Sequence, residues 1–305
     1  MRETLRLTDV LSRARLFAAP PPVLAAPAPV LAAPASAARR VLGSPGGLPL
    51  DTVPSVPDDV AAELARLGEA SRRSVLDPLS RGGEGGRVGY PARVSLPFLG
   101  GDGATTRTAP ARQVDETTCG AAVLVLLALA GDPRLALRVA WDPERRFAGL
   151  QRQVHRESSR VGVVPWPLRY GTTPWAAAAL ARYGAVRYTH RVVGGGARGA
   201  EVLRAAVAAA ASGVPVPLFT GGDVGGGWQT AVPRHVVLLA DARPDAARDG
   251  VVRVYEPSSA TMHTVPTSAL VRPDRATPRD RMVLTAALGA WPHVVWAVLP
   301  RRAPH

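Results

Sequence analysis

Between Thr118 and Ala130 the chain runs Thr-Cys-Gly-Ala-Ala-Val-Leu-Val-Leu-Leu-Ala-Leu-Ala without a charged side chain. A segment with no polar face has to be enclosed by the rest of the fold. Its length and its Ala/Leu content predict a buried helix, stopped by Gly131-Asp132-Pro133. Neither this run nor any other resembles a transmembrane helix.

Elements of two kinds are expected around that helix. Helical spacing recurs at 133–154, 173–183 and 199–211. From residue 214 onward the pattern changes to strands at 214–220, 235–240, 251–255, 261–265 and 293–299, with turn-rich segments such as 241–250 between them. Helices first and an antiparallel sheet second make an α+β plan. Ahead of this lies a different composition. Residues 1–55 are Ala/Pro-rich and repeat Pro-Val-Leu-Ala-Ala-Pro at 22–27 and 29–34, a composition that favours extended or disordered states. Asp58 to Val75 has the spacing of one short helix. The reading is therefore a largely flexible extension over 1–95 and one domain over 96–305. The apolar stretch 16–38 is broken by six prolines, so it does not form a signal-peptide core, and a cytoplasmic location is expected.

Charge and cysteine usage exclude several classes. The net charge is +13 and the pI about 11.3, which would ordinarily suggest a nucleic-acid partner. Here the sequence has no Lys, Asn or Ile, and its arginines stand in ones and twos without a basic run. A solvated, codon-driven surface accounts for them, and no nucleic-acid partner is expected. The single cysteine rules out an intrachain disulfide and multi-cysteine zinc modules. The histidines are dispersed without paired spacing, so neither metal nor cofactor is expected.

The lone cysteine is placed for chemistry. Cys119 opens the apolar helix behind Thr117-Thr118, which can cap it; there the free N–H groups and helix dipole favour a thiolate. The bland alternative is a small buried hydrophobe. Gly120 leaves room for a substrate carbonyl to approach. Gln113, six residues before Cys119, can offer an amide donor to a developing oxyanion beside the Cys119 N–H. Far downstream His235 opens the strand His-Val-Val-Leu-Leu-Ala, and Glu256 ends the next strand. In a hairpin the end of the second strand lies beside the start of the first, so Glu256 can orient the His235 imidazole.

This ordered set, Gln113, Cys119-Gly120, His235 and Glu256-Pro257, resembles the papain-fold cysteine peptidases. Within them it is similar to the bacteriocin-processing, double-glycine-peptidase-like branch, over roughly residues 108–300. The segment Tyr170-Gly171-Thr172-Thr173-Pro174-Trp175 resembles a helix start of that family. The resemblance implies a papain-like fold, with N-terminal helices packed on an antiparallel sheet. It also implies cleavage of a peptide or amide bond in a peptide or protein substrate through a thioester on Cys119. Two departures stand out: the acid is Glu rather than the usual Asp, and the interval from Cys119 to His235 is long. Since the chain has no Asn to serve as third residue, Glu256 or, failing it, Asp241 fills that place. An amidase, an acyl transferase or a non-catalytic binding module would use the same frame.

Two glycine-rich segments compete for attention. Gly194 to Gly199 has the form Gly-x-Gly-x-x-Gly, but its preceding strand holds Arg187, His190 and Arg191, unlike a central parallel strand. Gly221 to Trp228 precedes His235 and reads as a long hairpin connection or as a substrate-lining loop with Trp228 as a wall.

Overall fold

The computed structural model describes residues 56–81, 86–100, 104–162, 164–222, 233, 235–245 and 248–301. Its centre is a seven-stranded sheet in which every pairing is antiparallel. The strands are β1 (Ala92–Arg93), β4 (Tyr188–Val192), β5 (Val216–Gly221), β6 (His235–Asp245), β7 (Arg248–Glu256), β8 (Thr261–Pro266) and β9 (His293–Pro300). Their order is β1-β8-β7-β6-β5-β9-β4, and β2 (Ser95–Leu99) with β3 (Thr105–Pro110) forms a separate hairpin.

Both faces of the sheet are covered, which explains why its strands read as continuous apolar runs rather than alternations. On one face Phe219, Val236, Leu238, Tyr255 and Trp296 pack against α3 (Cys119–Gly131) and the helices around it. On the other, Leu218, Val237, Leu239, Val254 and Ala297 meet α7 (Gly196–Ala211), α8 (Thr267–Val271) and α9 (Pro278–Ala287). The architecture is α+β, with helices on both sides of a large antiparallel sheet. α3 is enclosed as its sequence requires: all but one of its residues are buried.

Proline placement sets the helix boundaries. Asp132 ends α3 and also caps α4 (Pro133–Ala140), accepting a hydrogen bond from the Leu135 N–H at 3.0 Å. The expected single helix over 133–154 is in fact two, α4 and α5 (Pro143–Ser158). Pro143 has no N–H to continue a helix, whereas at a first helical position it is favoured, and Asp142 caps it. Thr173-Pro174 opens α6 (Pro174–Leu180) in the same way. α3 and α4 meet at 112°, and among the described residues no single helix is long and apolar enough to cross a membrane.

Two expectations change and a third is met. The segment 58–75 holds two helices, α1 (Asp58–Ala65) and α2 (Glu69–Leu76), separated at Gly68. Val60 and Leu64 from α1, Val75 from α2, Leu96 from β2, and Leu79 and Val94 from the segments beside them join the core around α3, so the described residues between 58 and 95 pack with the domain. Residues 1–55 lie outside the described residues. The 241–250 segment is mostly strand: β6 and β7 continue to Asp245 and Arg248, because a backbone ladder needs no apolar side chains. Finally, the strand before Gly194 is an antiparallel edge strand paired with β9, not part of a parallel crossover. Gly199 meets a packing need there, since a Cβ would lie 1.7 Å from the Gly194 carbonyl oxygen.

Candidate active site

The sheet brings His235 and Glu256 together, as their strand positions suggested. β6 and β7 are paired antiparallel through Leu238 and Tyr255, which puts the start of one beside the end of the other. His235 Nε2 and Glu256 Oε1 stand 2.8 Å apart, and both residues are buried, 9% and 3% exposed. The turn after β7 completes the shell of the carboxylate. Oε1 accepts from the Ser258 N–H and hydroxyl, and Oε2 from the Ser259 N–H and hydroxyl, at 2.6–2.8 Å. Burial opposes the charge on Glu256. The His235 bond and the serine donors outweigh it and hold its carboxyl well below the usual carboxylate range.

Cys119 stands at the first position of α3, 5% exposed, and lines the same cavity as His235. For the imidazole, burial favours the neutral form. Interactions with the Cys119 side chain and with Glu256 overcome that cost and raise His235 to about 9. With Nε2 committed to Glu256, Nδ1 is the ring nitrogen left for the cysteine. Cysteine, imidazole and carboxylate are thus joined in the order that nucleophilic catalysis needs.

The other expected residues take different parts. Thr118 does not cap α3; its hydroxyl donates to the Asp115 carbonyl and accepts from the Asp115 N–H, both at 2.9 Å. A side chain turned back into its own loop leaves the first N–H groups of the helix, that of Cys119 included, without a side-chain cap. Gly120 does not make room for a substrate. A Cβ there would lie 2.7 Å from Thr172 Cβ and 3.4 Å from Val236 Cγ2, so the space is filled by the protein. Gln113 is half-buried before the helix and is not among the residues lining the cavity; its Nε2 donates to the Asp115 carbonyl at 2.8 Å. Its backbone N–H donates to the Pro257 carbonyl at 2.9 Å, tying the loop before Cys119 to the turn that holds Glu256. Asp241 is paired with Arg243 further along β6, which leaves Glu256 as the acid at the imidazole. Trp228 lies outside the described residues.

The cavity holds about 230 Å³, with Tyr170, Phe219 and Trp291 as aromatic walls and Glu116 and Arg169 as charged groups. Among the described residues no group of three or more His, Cys, Asp or Glu could hold a metal ion.

Two supporting residues were not foreseen. Gly289 ends α9 in the left-handed region, φ +69°, and a Cβ there would fall 2.3 Å from His235 Cδ2 and 2.6 Å from Nε2. The turn therefore lies on the imidazole ring. Thr220, paired with His235 across β5 and β6, donates its hydroxyl to the Leu288 carbonyl at 3.0 Å and fixes that turn. In sequence, a glycine after a helix is a sufficient helix stop, so nothing marked Gly289 as part of the site. The seating of Gly289 places Trp291, two residues on, in the cavity wall.

His155, on α5, reaches the same loop. It is 9% exposed, its Nε2 lies 3.4 Å from the Thr117 hydroxyl, and Thr117 donates to Asp115 at 2.7 Å. Burial lowers its affinity for a proton, against the pull of Asp115, so it supports the Cys119 loop as a neutral ring.

No family model, curated protein or solved structure matches this chain, and the site stands on its own geometry.

Proposed function

We propose that the chain is a thiol hydrolase of the papain-like kind, cleaving a peptide or amide bond through a thioester on Cys119. The observation that carries this reading is that Cys119 and His235 line one cavity and Glu256 stands 2.8 Å behind the imidazole, an arrangement that favours the protonated ring. In this reading the His235 imidazolium sits beside a Cys119 thiolate. The sulfur attacks the substrate carbonyl carbon, and the oxyanion forms near the uncapped Cys119 N–H. His235 then gives its proton to the leaving nitrogen as the C–N bond breaks. A water, deprotonated by His235, attacks the thioester; the C–S bond breaks, and the acid product and the resting pair are restored. Glu256 keeps the ring oriented and stabilises its charged form throughout.

The test is alkylation of the single thiol by iodoacetamide across pH. Modification of Cys119 should remain fast at pH 6, at least tenfold above free cysteine, and His235→Ala should remove that excess. A rate that rises only as an ordinary thiol titrates would defeat the proposal.

A further inference from the structure

Among the described residues, exposed apolar side chains are concentrated in one place. Of the eight large apolar side chains exposed among the described residues, four fall between 164 and 175: Val164 (74%), Leu168 (40%), Tyr170 (54%) and Trp175 (40%). Trp166 sits in their midst, its ring centroid 5.8 Å from Tyr170 at 57° and 5.9 Å from Trp175 at 86°. Tilted and edge-to-face contacts of this kind hold the three rings together as one non-planar aromatic surface. The backbone beneath is fixed before anything binds. Trp166 N–H donates to the Ser159 carbonyl at 2.7 Å, and Tyr170 N–H closes a tight turn onto Pro167 at 3.0 Å. Tyr170 also lines the cavity of Cys119, so the patch is continuous with the mouth of the site.

A preset aromatic surface of this kind suits polyproline-type chain, which packs its rings and small side chains on it with little entropy left to lose. The chain carries such a segment. Residues 16–38 contain no charged side chain and hold both Pro-Val-Leu-Ala-Ala-Pro repeats, at 22–27 and 29–34. From Pro34, where the repeats end, to Val56, where the described domain begins, the connection is long enough. At ~3.3 Å per residue it reaches roughly 70 Å, against a diameter of about 45 Å for a domain of this size. We propose that the repeats at 22–34 dock, within the same chain, on the Trp166–Tyr170–Trp175 surface. The match is one of composition as well as reach: a Pro/Ala/Val segment without charge, and a surface of exposed aromatic and aliphatic side chains whose one cation, Arg169, is stacked on Tyr170. The docking does not depend on the hydrolase reading, and its test does not use activity.

The test uses the full chain with Cys119→Ser and a nitroxide on Ser36→Cys. Paramagnetic broadening of the six tryptophan indole signals is then read. The Trp175 signal should lose at least threefold in height and recover when the label is reduced, and Trp141, on the α4–α5 connection, should change far less. Replacing Pro22, Pro27, Pro29 and Pro34 with Ala touches nothing in the domain and should restore most of the Trp175 signal. Broadening spread evenly over all six indoles would overturn the proposal. So would broadening that survives the four alanines. In an equal mixture of isotope-labelled and spin-labelled chains, broadening of the labelled chains would mean docking between copies, and the intramolecular proposal would fail.

Discussion

Gly289 lies flat against the His235 imidazole, at a separation that leaves no room for a Cβ. Gly289→Ala puts a methyl group where Cδ2 and Nε2 now stand, and does so at a φ of +69° that side chains resist. The ring has to move off the line between Cys119 and Glu256. A displacement of ~1 Å costs about a hundredfold in rate. The expected outcome is a drop of that order in Cys119 alkylation at pH 6, with circular dichroism unchanged. An alanine variant that alkylates like the parent would show that the turn does not set the ring.

Thr220→Val should weaken the same arrangement from beneath. It deletes the hydroxyl that satisfies the buried Leu288 carbonyl and costs about 1–3 kcal/mol. Thermal unfolding should show this loss, and the His235 titration followed by NMR should fall from about 9 toward its ordinary value.

Glu256 variants separate charge from shape. Glu256→Gln keeps the volume but removes the charge facing the imidazolium, so His235 should titrate lower and turnover should fall by ~10²–10⁴. Cys119→Ala should abolish turnover altogether with the fold intact. Glu256→Ala also leaves four serine donors without their acceptor, and unfolding should register a loss of roughly 3–5 kcal/mol.

The pair also gives stability a pH dependence with a fixed sign. His235 is raised on folding, so its contribution is complete below about 6.5 and lost as pH climbs through about 9. Glu256 is lowered, so its contribution is complete above its ordinary value and lost on acidification below that. Denaturant midpoints measured from pH 3 to pH 10 should therefore fall at both ends. In His235→Gln the alkaline decline should flatten, and an unchanged alkaline limb would assign it to another group.

Gly120→Ala tests a packing role. The new Cβ meets Thr172 at 2.7 Å, and overpacking of this kind costs about 1–3 kcal/mol. Pairing it with Thr172→Gly should recover most of the loss in thermal unfolding, which a substrate-binding role for Gly120 would not produce.

Periodicity and residue chemistry made much of this protein legible from its sequence. An uncharged Ala/Leu run ended by Gly-Asp-Pro has no stable place except inside, and α3 is buried over nearly its whole length. The apolar strands from 216 onward, and the nearness of His235 to Glu256, follow from short apolar runs bounded by turns and from hairpin geometry, both local properties. Other features depend on residues far apart in sequence, and only the tertiary structure decided them. Gly120 is small because Thr172 occupies its side, and Gly289 because His235 does. Gln113 spends one donor on Asp115, and α1 and α2 join the core although their sequence reads as a tail. A contact of this sort leaves no period in the chain, because it is set by which surfaces close on one another once the helices and the sheet have packed.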